Sequence, residues 1–345
     1  MLRSPISTVW LLSLACASVA MTTGAWADSV TRCALDIGSG ETKAAAATVR
    51  TEGDKVVVEK AIFSKVAIVP IRDEIDKQGT LSDKAIRQLM KQVQAYKQEC
   101  IAAGATQFAG VATAGFRAAT KNGAKALAQI AKKTGFQLRI LDGAEEAQLG
   151  LLTATTALGQ TDSPMVVWDL GGGSMQFATK AAVISIPVGG GAFRDEMLER
   201  FRRKPGKSLN PLSSGEMKQA VDTARHHAAG VPESIRNTIK LPNAMVVGIG
   251  GIHIESIGKQ AKAVDDGKHT SYTLAAAQAA RASVVGKDDA WFKSTYPGNK
   301  YPQNQASNLA MVTGVMEALG IQRVTLVRMN LADGLLRDPK AWVNN

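Results

Sequence analysis

The chain has 345 residues, with 41 lysines and arginines against 30 acids and a net charge of +11. That length suits two domains, each with its own core. The basic balance favours a polyanionic partner, yet zinc-finger spacing, aromatic RNA-binding signatures and long Lys/Arg runs, which would make that partner a nucleic acid, are missing.

Residues 1–27 read as a signal peptide. Arg3 supplies the positive start, residues 9–20 are apolar, and Ala25-Trp26-Ala27 is a small-residue cleavage site. The mature chain is then expected to start at Asp28 and to be exported, periplasmic or secreted. Beyond this leader no run has the apolar length of a membrane span. Cys33 and Cys100 remain after cleavage, and an oxidising compartment permits one bridge between them. Cys33 opens a strand, and Cys100 ends a helix that feeds a neighbouring parallel strand. Both positions belong to the same sheet edge, away from ligand loops, so a disulfide is expected; two free buried thiols are the alternative.

From residue 28 the apolar pattern predicts strands over 32–37, 43–50 and 55–66. A helix over 82–103 follows, capped by Ser82, with Ile86, Leu89, Met90, Val93 and Tyr96 on one face. Then come a strand over 107–112, a helix over 122–133, a strand over 136–141 and a helix over 144–158. The polar, turn-rich segment 159–164 marks a boundary between a first domain (28–160) and a second (161–345). The same order then restarts, with strands over 165–170, 174–180 and 182–187 and helices over 191–203 and 213–228. A strand over 243–249, helices over 251–259, 273–285 and 304–319, a strand over 323–327 and a short helix over 331–336 complete it. Strands alternating with helices indicate an α/β fold whose mixed, mostly parallel sheets carry helices on both faces.

Two stretches interrupt this pattern in the same way. In Met165–Ala178 an apolar strand ends in Asp169, the turn is Gly171, Gly172, Gly173 and Ser174, and a second strand returns. In the segment that starts at Cys33 the strand ends in Asp36, the turn is Gly38, Ser39 and Gly40, and Lys43 begins the return. Glycine runs cost backbone entropy that an ordinary hairpin does not require. Successive bare N–H groups form a concave anion site, and a carboxylate at the strand mouth can hold a cation beside it. A tight hairpin with a capping Asp is the plainer explanation of one copy; two copies, one per half, fit a duplicated phosphate-binding fold.

The sequences DIGSGETK and DLGGGSMQFA resemble the two phosphate loops of the actin–sugar kinase–Hsp70 superfamily, and specifically its exopolyphosphatase / guanosine pentaphosphate phosphatase branch. The resemblance covers most of the mature chain. It implies two ribonuclease-H-like (actin-like ATPase) domains with a cleft between them, a phosphohydrolase acting on polyphosphate or a similar polyphosphorylated anion, and Mg²⁺ held near Asp36 and Asp169. Gly38, Ser39, Gly40, Gly171, Gly172, Gly173 and Ser174 would bind phosphate. Thr113-Ala114-Gly115-Phe116-Arg117 is similar to the stretch whose arginine contacts the phosphate chain, and Asn122 matches the following asparagine. Gly143-Ala144-Glu145-Glu146-Ala147 resembles the stretch that carries the catalytic glutamate. A carboxylate there can orient or deprotonate water, although acids in a helix's first turn also complement its dipole. Either Glu145 or Glu146 fits, with Glu145 slightly favoured as nearer the strand mouth. The glycine turns at 189–191 and 248–251 also match the family.

Departures from the family pattern stand at Gly40-Glu41, where Asn-Ser is usual, and at Asn330-Leu331-Ala332-Asp333-Gly334, where Arg-Glu-Gly is usual. Glu41 puts a negative charge beside the expected phosphates. Gly206-Lys207-Ser208 is not a P-loop, because Phe201 stands where its first glycine belongs. The loop over 201–212, with Arg202, Arg203, Lys204 and Lys207, is either part of a polyanion path or a solvated loop. The histidines at 226, 227, 253 and 269 lack ligand spacing. An actin-like kinase and a non-catalytic polyanion-binding protein are the rival functions, and a homodimer is compatible with the pattern.

Overall fold

The computed structural model describes residues 29–342 except 54, 76, 160–162, 202 and 205–207. The segment 1–27 read as a leader, part of the segment read as a domain boundary, and Arg202, Gly206 and Lys207 lie outside these residues. In the first half the elements are β1 (Val30–Ile37), β2 (Glu41–Glu52), β3 (Lys55–Ile68), α1 (Asp83–Ala102), β4 (Gln107–Ala112), α2 (Ala114–Ala118), α3 (Gly123–Thr134), β5 (Gln137–Ile140) and α4 (Gly143–Leu158). β6 (Met165–Leu170), β7 (Met175–Ala178), β8 (Val183–Ile186), α5 (Gly190–Arg200), α6 (Ser214–Ala228), α7 (Glu233–Ile239) and β9 (Met245–Ile249) follow. After a π-helical segment over Ile252–Ile257 come α8 (Gly258–Gln260), β10 (Val264–Asp265), β11 (Thr270–Thr273), α9 (Leu274–Ser283), α10 (Asp289–Thr295), α11 (Gln305–Leu319), β12 (Arg323–Leu326) and α12 (Leu331–Leu335).

Among the described residues the strands form two mixed sheets, in the orders β3-β2-β1-β4-β5 and β10-β11-β12-β9-β6-β7-β8. β1 runs antiparallel to β2 and parallel to β4, and β6 likewise runs antiparallel to β7 and parallel to β9. The internal repeat is therefore physical: β3-β2-β1-β4-β5 and β8-β7-β6-β9-β12 are one topology used twice, with β11 and β10 added to the second copy. β1 is buried from Arg32 to Ile37 and β6 from Val166 to Leu170, as strands covered on both faces must be.

Each sheet has a core on its outer face. Under the first, Leu89, Val93 and Tyr96 of α1 meet Leu127 and Ile130 of α3. Under the second, α11 packs on α6 and α9 through residues such as Leu309, Val312 and Val315. A third core lies between the sheets, where Ala34, Ala45, Ala47 and Val111 face Val167, Val247 and Ile249 around α4 and α12. The two helices are exchanged across it. α4 leaves the first sheet and packs on β6, β7 and β8, whereas α12 leaves the second and packs on β1 and β2. The alanine-rich face of β2 admits this close approach. Trp342 secures the chain end, its indole donating to the Leu335 carbonyl at 2.8 Å and its ring lying 4.8 Å from the Arg32 guanidinium.

Cys33 and Cys100 are joined in a disulfide, with Cα atoms 5.9 Å apart, linking β1 to the last turn of α1. Ser82 caps α1 by accepting from the Ala85 amide. Several elements were not read from the sequence: α2, α7, α10, β10 and β11, all of two to seven residues. Such short pieces lack the periodicity that marks an element and are held by tertiary packing. The segment expected as a helix over 251–259 is π-helical over Ile252–Ile257. The wider winding re-aims side chains: His253 turns into the core beneath Trp168 (ring centroids 4.5 Å apart), while Ile252, Ile254 and Ser256 line the cleft. No helix of the described residues is long and apolar enough to cross a membrane.

Candidate active site

The expected phosphate loops face one another across a cleft of about 590 Å³ between the two sheets. Both are shaped so that carbonyls turn away from the cavity. In the second loop the carbonyls of Gly171 and Gly172 accept from the amides of Gly190, Gly191 and Ala192 at 2.8–3.0 Å. The first turn of α5 is thus spent on the loop. This approach requires glycine at 189, where a Cβ would lie 2.3 Å from the Gly171 oxygen. In the first loop Ser39 O accepts from the Arg72 amide at 2.9 Å, and Gly40 O accepts from the Val69 amide at 3.0 Å. Loops whose carbonyls are engaged behind them are fit to offer N–H groups to an anion.

Asp36 and Asp169 end β1 and β6, and both are buried in the cleft floor. Asp36 Oδ2 accepts from Lys43 Nζ at 2.9 Å. Burial by itself would lower the Lys43 ammonium, but Asp36, Glu41 and Asp169 hold it above its usual range. Burial pushes Asp169 up to about 6, against the attraction of Lys43 and with the help of Asp36. Lys43 is a site residue that sequence reading assigned only to a strand. The signal was present: an antiparallel pair closing on this loop puts position 43 opposite 36, and the register pairs Asp36 with Lys43.

The two glutamates of the Gly143–Ala147 stretch separate completely. Glu145 is the one slightly favoured from sequence. It completes a capping box, accepting from the Asp142 amide at 2.9 Å, and pairs with Arg139 at the surface outside the cleft. Its position at N3 dictates that turn back toward the N-cap. Glu146, one residue on and therefore about 100° around the helix, points into the cleft and is buried. Its Oε2 lies 2.7 Å from Arg117 Nη2. Burial raises its carboxyl to about 7; Arg117 opposes the rise, and Asp169 and Asp36 add to it.

Arg117 bridges the site, donating to the Leu141 carbonyl at 2.8 Å as well as reaching Ser174 Oγ at 3.5 Å. Ser174 Oγ also accepts from Gln176 Nε2 at 2.8 Å. Asn122 lies elsewhere, clamping Leu81 through both its backbone groups at 2.8 Å. Arg203 belongs to a loop brace, paired with Glu216 and donating to the carbonyls of Leu209 and Pro211. Asp333 accepts from the Asn330 amide at 2.9 Å and caps α12, leaving Asn330 and Leu331 on the cleft wall.

The donor set has room for one cation charge. Asp169 and Glu146 are both buried carboxylates lifted toward neutrality, so positive charge between them is under-supplied. Asp36, by contrast, already has the Lys43 ammonium. No cluster of three or more metal-type side chains occurs among the described residues. A cation in this cleft would be held through Asp169, with Asp36 added only where Lys43 yields.

Several cleft residues come from sequence that carried no motif. Arg72 pairs with Asp195 at 3.2 Å, and Arg194 pairs with Asp195 and, at 3.3 Å, with Asp73. Lys300 and Tyr301 come from the loop before α11 and meet Glu41 and Gly40 of the first glycine loop. Only the tertiary fold brings these segments to the mouth.

Residues 52–339 match the profile of the Ppx/GppA phosphatase family. Exopolyphosphatase 1 of Mycobacterium leprae is 24% identical over 140 residues, 39% of this chain and 41% of that protein, so the chain spans about two fifths of that relative's length. The corresponding Mycobacterium tuberculosis protein is also 24% identical over 140 residues. Among solved structures, a Ppx/GppA family member from Aquifex aeolicus superposes with a TM-score of 0.68 at 17% identity, covering 90% of this chain and 97% of that one. An exopolyphosphatase from Cytophaga hutchinsonii gives 0.69 at 15% identity, covering 89% and 96%. These structural likenesses establish the actin-like fold.

Proposed function

The chain belongs to the Ppx/GppA phosphatase family, and from that premise we propose that it is an exported phosphohydrolase releasing terminal phosphate from polyphosphate or a similar polyphosphorylated anion. The observation that carries the proposal is Glu146. It is a buried carboxylate, lifted to about 7, set against Arg117 and opening onto the cleft between two loops with their carbonyls turned away. A base poised near neutral pH is suited to taking a proton from water.

Arg117 and Lys43 supply fixed positive charge to the phosphate chain, with Arg117 offering a planar fork to its oxygens. The loop amides and Ser174 complete the cradle. Glu146 orients the attacking water and accepts its proton as the oxygen approaches the terminal phosphorus in line. Mg²⁺ held through Asp169 would neutralise phosphate charge when bound, leaving Glu146 free as the base. Glu145 serves only the helix start. Export removes the protein from cytosolic nucleotides, which favours inorganic polyphosphate as substrate and disfavours a kinase. N-terminal sequencing of the secreted form should begin at Asp28.

The test is phosphate release from long-chain polyphosphate by the purified protein with Mg²⁺. A phosphorylated acceptor formed from ATP would instead identify a kinase. One observation favours a binding protein: Asp36 is already taken by Lys43. Tight polyphosphate binding without any release would establish that reading.

A further inference from the structure

The first phosphate loop contains two groups that repel phosphate. One is the carbonyl of Gly40, and the other is the carboxylate of Glu41, which lines the cleft. Both are met from the second domain by neighbouring residues of one loop. The Tyr301 hydroxyl donates to Gly40 O at 3.0 Å, and Lys300 Nζ stands 3.5 Å from Glu41 Oε1. The approach is close, since a Cβ at position 40 would lie 3.2 Å from the Tyr301 oxygen.

The loop that brings them is itself braced. Asn299 Oδ1 accepts from the Tyr301 amide at 3.0 Å and from Gln305 Nε2 at 3.1 Å, and Gln305 Nε2 also donates to the Tyr301 carbonyl at 3.0 Å. Asn304 accepts from Arg194 at 3.3 Å, which ties the loop's end to α5. Burial and the nearby Glu41 and Asp73 carboxylates raise the Tyr301 phenol well above its usual range, so it stays a donor throughout neutral pH.

We propose that Lys300 and Tyr301 are positioning residues for the first phosphate loop: Lys300 cancels the charge of Glu41, and Tyr301 holds the Gly40 carbonyl away from the anion. The proposal rests on the loop being a phosphate site, as the proposed function requires. It accounts for how this loop carries an acid beside bound phosphate. The second loop meets the same requirement within its own half, through the first turn of α5, whereas in the first loop the Gly40 carbonyl is shared between the Val69 amide at 3.0 Å and the Tyr301 hydroxyl from across the cleft.

Calorimetric titration of the full chain with inorganic pyrophosphate tests this without reference to catalysis. Lys300→Met should raise Kd about fivefold or more, because the Glu41 carboxylate, left with only the Lys43 ammonium that it shares with Asp36, then faces a multivalent anion. Adding Glu41→Gln to Lys300→Met should restore parental binding, and Glu41→Gln by itself should not weaken it. Lys300→Arg should retain binding. Tyr301→Phe should weaken binding in a way that Glu41→Gln does not rescue, since the carbonyl is a separate group.

Parental binding by Lys300→Met overturns the proposal, as does a deficit that Glu41→Gln fails to repair, which would mean that Lys300 touches the anion itself. Absence of pyrophosphate binding by the parent overturns it as well. Pyrophosphate binding with the rescue intact, but no phosphate release from polyphosphate, would sink the hydrolase and leave the loop's positioning standing.

Discussion

Glu146→Gln separates catalysis from stability at a single atom. Burial lifts this carboxyl from its usual 4.5 to about 7. Between those values the folded protein keeps a proton that the unfolded chain has released, so stability falls as pH rises through that window. The shift corresponds to about 3 kcal/mol of destabilisation, fully expressed above pH 7. Little of it is lost to solvent screening, because the side chain is only 8% exposed. Glutamine is neutral at every pH and keeps an acceptor for Arg117. The variant should therefore be more stable than the parent by up to about 3 kcal/mol at pH 8, and equal to it near pH 4, in isothermal denaturation. Turnover should fall about 10²–10⁴-fold. In the parent, the active carboxylate fraction rises from about one tenth at pH 6 to about nine tenths at pH 8, giving an acid limb that belongs jointly to Glu146 and Asp169. The variant should lose the Glu146 part of that limb. A Gln variant that hydrolyses polyphosphate at the parental rate, or that is less stable than the parent at pH 8, would refute this account of the site.

The remaining expectations follow from the same contacts. Glu145→Ala should cost about 0.5–1 kcal/mol of stability through the lost capping box and leave turnover near the parental value; a collapse of activity in a folded variant would return Glu145 to the chemistry. Arg117→Ala should raise KM and also move the acid limb to higher pH, because the guanidinium opposes the rise of Glu146; a pH–rate profile reads both. Replacing Cys33 and Cys100 together with alanine should lower stability by about 4 kcal/mol in the chain-entropy model for a loop of this length. In the parent, equal masses of alkylated protein with and without prior reduction would show the bond to be missing.

Much of the fold was legible because its signals are local. The apolar run before Asp36 and before Asp169, the glycine turns after them, and the helical face of Leu89, Val93 and Tyr96 each depend on residues within a few positions. Their repetition in the second half gave the duplicated topology. Both acids and both glycine loops line the cleft, and Arg117 stands behind Glu146 and Ser174 at its wall. Glu145 and Glu146 are separated in the structure by what surrounds the helix start, where a capping box holds one and the cleft takes the other. Lys43 was readable through strand register, but only once the hairpin was taken as closed.

By itself, then, the sequence determined the strands, the main helices and the two glycine turns, because backbone preference and periodicity act between near neighbours. The tertiary structure decided the exchange of α4 and α12, the arginine and aspartate pairs across the mouth, and the reach of Lys300 and Tyr301 to Gly40 and Glu41. The Tyr301–Gly40 contact by itself joins residues 261 positions apart. Such pairing leaves no period in the chain, because it arises from two sheets closing on a shared core.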